Sequence, residues 1–124
     1  MKKFGFNKNL NLKSPLEISR LFKSGKFLFS DHFKLLWDIV PESSFNGFKT
    51  GVSVPKRYFK FSHQRNNLKR KMRESVRVNK CILQNNELNK NLNLFFIYKS
   101  QEIIDFKKID EEMIFLFEKL LKKF

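Results

Sequence analysis

Arg65-Asn66-Asn67-Leu68-Lys69-Arg70-Lys71-Met72-Arg73-Glu74-Ser75-Val76-Arg77 is the run of this chain that organises everything around it. Wound as a helix of about 3.6 residues per turn, it separates into two flanks. Leu68, Met72, Ser75 and Val76 share one narrow arc, suited to burial against a sheet. Arg65, Lys69, Arg70, Arg73, Arg77 and, farther on, Lys80 crowd the adjoining arc, with Asn66 in its middle. Like charges at i, i+4 disfavour an isolated helix by a few tenths of a kcal/mol per pair. No acidic residue on that arc is expected to relieve them, so the flank calls for an external anion. The planar fork of Arg suits phosphate better than a Lys ammonium does. The helix is expected over about Ser62 to Cys81.

Charge over the whole chain supports that reading. The 124 residues carry 26 Lys and Arg against 12 Asp and Glu, a net charge of +14. Five of the six arginines lie between 57 and 77. From Lys56 to Lys80 there are ten basic residues against the single acid Glu74, a net +9, and Lys56, Arg57 and Lys60 extend the basic stretch ahead of the helix. Self-repulsion on this scale is usually neutralised by a polyanion. Nucleic acid is the first candidate and an anionic membrane surface the second. The longest apolar run is only a few residues, far short of a membrane span. The start, Met1-Lys2-Lys3-Phe4, lacks a secretory apolar stretch, and a lone Cys81 excludes an intramolecular disulfide or a multi-cysteine zinc site. The expectation is a cytoplasmic protein with no membrane partner. Sixteen Phe and no Ala point to genome composition, so not every Phe is a stacking surface.

Outward from the basic helix, the elements alternate. Residues 1–13 read as a flexible basic segment ordered by a partner. Ser14 as N-cap, Pro15 at the first helical position and Glu17 completing a capping box begin a helix. Its face is Ile18, Leu21 and Phe22, and Gly25 stops it. Phe27 to Phe29 is a short strand. Residues 33–40 alternate, with Phe33, Leu35, Trp37 and Ile39 opposite Lys34, Leu36 and Asp38. Pro41 to Gly47 is a polar connection, and Lys49 to Val54 a third strand stopped by Pro55. After the basic helix comes an Asn-rich loop at 85–91, then an apolar strand from Leu92 to Tyr98, suited to a sheet interior. An amphipathic helix over 106–124 closes the chain, with Asp105 as its N-cap. The order α-β-β-β-α-β-α predicts one α+β domain spanning 1–124.

Six positions of the basic run, Arg65, Asn66, Lys69, Arg70, Arg73 and Glu74, match the RNR motif of the bacterial ribonuclease P protein, approximately R-N-x-x-K-R-x-x-R-E, which this chain therefore resembles. Gly51-Val52-Ser53-Val54-Pro55-Lys56-Arg57 is similar to that family's G-x-S-V-x-K-[KR] strand end. Leu21-Phe22-Lys23-Ser24-Gly25 is similar to its L/V-F-x-x-G helix end. The resemblance covers roughly residues 14 to 121. It implies a two-layer sandwich like domain 2 of ribosomal protein S5, and an endoribonuclease whose RNA subunit, with bound Mg²⁺, hydrolyses a phosphodiester to release the 5′ leader of precursor tRNA. The implied role of the protein is to dock on the catalytic RNA through Arg65, Asn66, Lys69, Arg70, Arg73, Arg77 and Lys80, aided by Lys56, Arg57 and Lys60. Ile18, Phe22, Phe33, Leu36 and His63 are the implied leader cleft. Two departures stand out: Phe59-Lys60-Phe61-Ser62-His63 replaces the family's Gly-x-Ala-Val, and Leu36 stands where an aromatic is common. His63 has two readings, a leader contact or a helix cap.

Chemistry borne by the protein itself is not evident. His32, His63 and Cys81 lack metal-ligand spacing, and no phosphate loop or nucleophile motif occurs. Asp105, Asp110, Glu111 and Glu112 read as solvated charge at a helix start. The rival class is a structural RNA-binding protein without a catalytic partner. DNA is not an expected partner, because no helix closely precedes the basic one as helix-turn-helix binding requires.

Overall fold

The structure, a computed structural model, describes residues 15–40, 48–79, 81–84 and 91–123. Helix α1 (Pro15–Ser24) leads into strands β1 (Lys26–Phe29), β2 (Phe33–Val40) and β3 (Phe48–Ser53). Helix α2 (Ser62–Asn79), a helical turn α3 (Cys81–Gln84), strand β4 (Asn91–Tyr98) and helix α4 (Phe106–Leu121) complete the chain. Apart from α3 this is the order expected. The expected N-cap Ser14, the segment 1–13, the 41–47 connection and most of the Asn-rich loop lie outside the described residues.

The strands form one mixed sheet in the order β1-β2-β4-β3. β1 with β2 and β2 with β4 are antiparallel; β3 with β4 is parallel, the crossover running through α2. The apolar run of β4 is explained by its central place, since an interior strand meets packed side chains on both faces. Register sorts those faces. Leu28, Leu35, Phe96 and Val52 lie in one row across the sheet, and Phe27, Leu36, Phe95 and Gly51 in the next row on the opposite face.

The first face carries the main core. Phe33, Leu35, Trp37, Leu92, Leu94, Phe96 and Tyr98 pack with Leu68, Met72 and Val76 of α2 and Ile109, Met113, Leu116, Phe117 and Leu120 of α4. Each such side chain contributes roughly 1.5–3 kcal/mol on burial, so this layer holds most of the stability. Ile39, expected on the same face, lies at the sheet margin and is exposed. Among the described residues the other face is covered by α1, where Leu21 and Ile18 meet Leu36, Phe95 and Ile97, and Glu17 reaches Lys49 of β3 at 3.7 Å. At the end of α1, the Gly25 amide bonds the Leu21 carbonyl at 2.9 Å. A Cβ on Gly25 would sit 2.6 Å from that oxygen, so the close approach excludes any larger residue without rearrangement.

Polar residues tie the two core helices. Asp110 accepts from the Ser75 hydroxyl at 2.8 Å and from the Asn79 amide at 2.6 Å. The same amide turns back onto the Ser75 carbonyl. Helix α2 is described as far as Asn79 and Cys81–Gln84 is again helical, while Lys80 between them is outside the described residues. Asp105 caps α4 as expected, accepting from the Lys108 amide at 3.0 Å. Asp110 and Glu112 are not solvated charges as their sequence position suggested: Asp110 bridges α4 to α2, and Glu112 is buried.

Candidate nucleic-acid interface

Helix α2 turns its apolar arc inward as its periodicity requires: Leu68, Met72, Ser75 and Val76 are its buried residues. Ser75 and Asn79 mark the side facing α4, which leaves the cationic arc on the other flank. There Asn66, Arg70, Arg73 and Arg77 are exposed, while Arg65 and Lys69 are partly covered. Arg70, Arg73, Glu74 and Arg77 line a shallow depression on this surface.

Two of these cations are engaged. One Arg65 nitrogen donates to the Phe59 and Lys60 carbonyls at 2.8 and 3.0 Å, pinning the preceding loop to the helix start. Arg77 pairs with Glu74 at 2.6 Å, one turn back on the helix. The expectation that no acid relieves the cationic face is thus corrected, because the Glu74 side chain is long enough to reach it. Hydrogen bonding from Arg77 lowers the Glu74 pKa, and that of Arg77 rises in turn. Both groups are exposed, so the pair is open to exchange for a phosphate.

The segment between β3 and α2 continues this surface. Val54 and Phe59 are buried, and Phe59 packs beside Tyr98 with ring centroids 5.7 Å apart. The departure at Phe59 is therefore a core residue. Lys56, Arg57 and Lys60 point to solvent. The Arg57 guanidinium lies 5.0 Å from the Tyr58 ring centre, which orders its long side chain. His63 is exposed in the first turn of α2, its ring stacked on exposed Phe61 at 5.8 Å.

On the other face of the sheet, the surface beside α1 is where the groove implied by the resemblance would lie. Phe22 is 59% exposed and meets Phe95 edge to face at 5.9 Å. Ile18 is half-buried beside it, and Leu36 lies beneath as floor rather than wall. Phe33 cannot belong here. It is 0% exposed, sits on the core face and packs against Tyr98. Strand alternation puts Phe33 and Leu36 on opposite faces, so one groove cannot hold both. Sequence reading missed Phe95 and Ile97, which share the face of Leu36. Period-two counting along β4 could have found them, but the continuous run Leu94-Phe95-Phe96-Ile97-Tyr98 gives no polar residue to mark the outer side.

A second polar centre lies at the β1–β2 turn. Glu112 accepts from the Ser30 hydroxyl at 2.5 Å, the His32 amide at 2.8 Å and His32 Nδ1 at 2.6 Å. His32 Nε2 donates to Glu102 at 3.0 Å, so both ring nitrogens face carboxylates. Burial works against the imidazolium, but the bonds to Glu102 and Glu112 outweigh it and raise the His32 pKa. Burial likewise disfavours the Glu112 carboxylate, yet its hydrogen bonds from Ser30 and His32 hold its pKa below the usual value. Burial pushes the adjacent Tyr98 phenol up to about 12. The arrangement clamps the β1–β2 turn to α4.

The Ribonuclease P family model matches residues 6–121. A ribonuclease P protein component from Finegoldia magna is 30% identical over 118 residues, covering 94% of this chain and 96% of its own. One from Nitrosococcus oceani is 30% identical over 88 residues, covering 71% of each. Among solved structures, the RNase P protein of Thermotoga maritima superposes with a TM-score of 0.70 at 24% identity, covering 88% of this chain and 96% of that one. At that identity it speaks for the shared fold.

Proposed function

The chain belongs to the ribonuclease P protein family, and from that membership we propose how its two surfaces divide the work. As a family member it serves as the protein part of an endoribonuclease ribonucleoprotein, acting with an RNA subunit in tRNA 5′ processing. In our reading the exposed α2 cations, Arg70, Arg73 and Arg77 with Asn66 and Lys69, dock on phosphates of that RNA, and Lys56, Arg57 and Lys60 extend the contact. The groove beside α1 takes the single-stranded 5′ leader of precursor tRNA, with Phe22 and Ile18 against its bases and His63 at its approach.

One observation carries the proposal. The 54–61 segment leaves β3 at the end of the sheet where Ser53, Ile97 and Lys34 lie in one row on the groove face, and it runs directly into α2. A strand can therefore pass from the cationic flank to the groove without leaving basic surface. Such a surface binds and orients; it does not cleave. Cations repel Mg²⁺, and among the described residues no group of three or more His, Cys, Asp or Glu is arranged to hold a metal ion. The cationic interface does not fit the metal, so in this reading Mg²⁺ belongs to the partner RNA and substrate. The cations of α2 instead lower the repulsion between two RNAs, which lessens the demand for free Mg²⁺. We place this work in the cytoplasm, where tRNA precursors are made in bacteria.

The test is reconstitution with a bacterial catalytic RNA across a Mg²⁺ titration. Leader removal is expected at Mg²⁺ levels where the RNA alone is slow. No stimulation at any Mg²⁺ level overturns the proposal.

A further inference from the structure

Strand β1 carries an aromatic pair that neither the core nor the RNA-docking helix uses. Phe27 and Phe29 are 54% and 43% exposed, and their ring centroids lie 5.3 Å apart. Register puts them on the groove face of the sheet, opposite Leu36 and Lys34. Lys34 Nζ lies 5.0 Å from the Phe27 ring centre and 5.7 Å from that of Phe29. Lys99 Nζ lies 5.0 Å from the Phe29 centre. Two exposed rings attended by two ammonium groups are costly as plain surface and poorly suited to an apolar partner, which would have to desolvate both cations.

We propose that Phe27 and Phe29 form a base-stacking platform for single-stranded RNA, with Lys34 and Lys99 placed for the phosphates of the stacked nucleotides. A base offers a π-face of any sequence, and its backbone brings an anion, which neither lysine has within reach among the described residues. The platform lies in line with the groove, since Phe27, Leu36 and Phe95 share one row and Phe22 packs on Phe95. Its occupant is the part of the 5′ leader that has passed α1. This rests on the leader reading of the groove and adds an outer subsite to it.

The experiment compares holoenzymes made with the wild-type chain and with three double variants at Phe27 and Phe29: Thr, Leu and Tyr. Precursor affinity is measured with a leader long enough to leave the groove and with one trimmed to end within it. The Thr and Leu pairs should bind the long-leader precursor about 5- to 10-fold more weakly, the lower range for losing one aromatic stack. They should match wild type on the trimmed one, and the Tyr pair should match wild type on both. Equal affinities throughout, equal weakening on both leaders, or full affinity in the Leu pair would overturn the platform. So would a wild-type dimer in sedimentation that the Thr pair dissolves, which would assign the patch to a second copy of this chain. Binding of an unstructured oligoribonucleotide to the free protein separates the two readings. If wild type shows no preference for leader-bearing RNA while the Thr pair loses oligonucleotide affinity, the leader reading fails and the platform stands. Oligonucleotide affinity indifferent to the Thr pair overturns the platform.

Discussion

Arg65→Ala and Arg73→Ala remove the same charge from the same helix flank, yet the structure assigns them different consequences. Arg73 is exposed and has no partner among the hydrogen bonds of the described residues, so its loss should leave stability within about 0.5 kcal/mol. Arg65 is partly covered and holds two loop carbonyls, at 2.8 and 3.0 Å. A hydrogen bond from a charged donor is worth about 1.5–3 kcal/mol when buried and less at a half-open site. The pair together should contribute about 1–3 kcal/mol. With a urea dependence of about 1–3 kcal/mol per molar, Arg65→Ala should lower the unfolding midpoint by roughly 1 M. Both variants should weaken assembly with the catalytic RNA, Arg73→Ala by lost phosphate contact alone. Arg65→Lys should restore RNA affinity more than stability, because one ammonium cannot reproduce the guanidinium fork. Urea unfolding followed by circular dichroism, beside RNA binding on the same samples, decides it. Coincident unfolding curves for Arg65→Ala and wild type would refute the anchoring role.

Arg70→Ala should reduce the slope of log affinity against log salt by about 0.7–0.9 if its side chain meets one phosphate; an unchanged slope in an RNA-binding titration would remove it from the contact. Phe33→Ala should destabilise the fold by about 3–5 kcal/mol, as expected for a large core deletion. Phe22→Ala should unfold near wild type but lose preference for precursor over mature tRNA, and the two unfolding midpoints with the two binding ratios check the assignment. The His32–Glu112 clamp should favour a mildly acidic window. The raised His32 pKa gives stability that is complete below the imidazole's ordinary 6.5 and fades as pH rises through its folded value. The lowered Glu112 pKa gives stability that is complete above 4.5 and fades as pH falls through its folded value. Thermal melts of wild type and His32→Gln should therefore differ most between these limits, and a difference that grows toward alkaline pH would contradict the clamp.

Local order was legible in residue types and spacing. The arc Leu68, Met72, Ser75 and Val76 turned inward because helical period is a property of the chain alone. Asp105 capped α4 because a short acceptor before an apolar period has a local target, the Lys108 amide. Long side chains and cross-sheet placement were not legible. Glu74 could reach Arg77, Arg65 could turn back to the loop, and Glu112 could find His32, 80 residues away in the chain, only once the fold supplied those neighbours. Phe33 shows the same limit in a strand. Alternation separates it from Leu36, but which face meets α2 and α4 and which is left to α1 depends on sheet order.

The residue pattern by itself thus determined the elements, their inward faces and the cationic character of α2, since each follows from short-range geometry. Which apolar residues became core, which lined a groove and which cations stayed available for an anion was decided by tertiary packing. Those outcomes depend on distances between segments remote in the chain, and no local period encodes them.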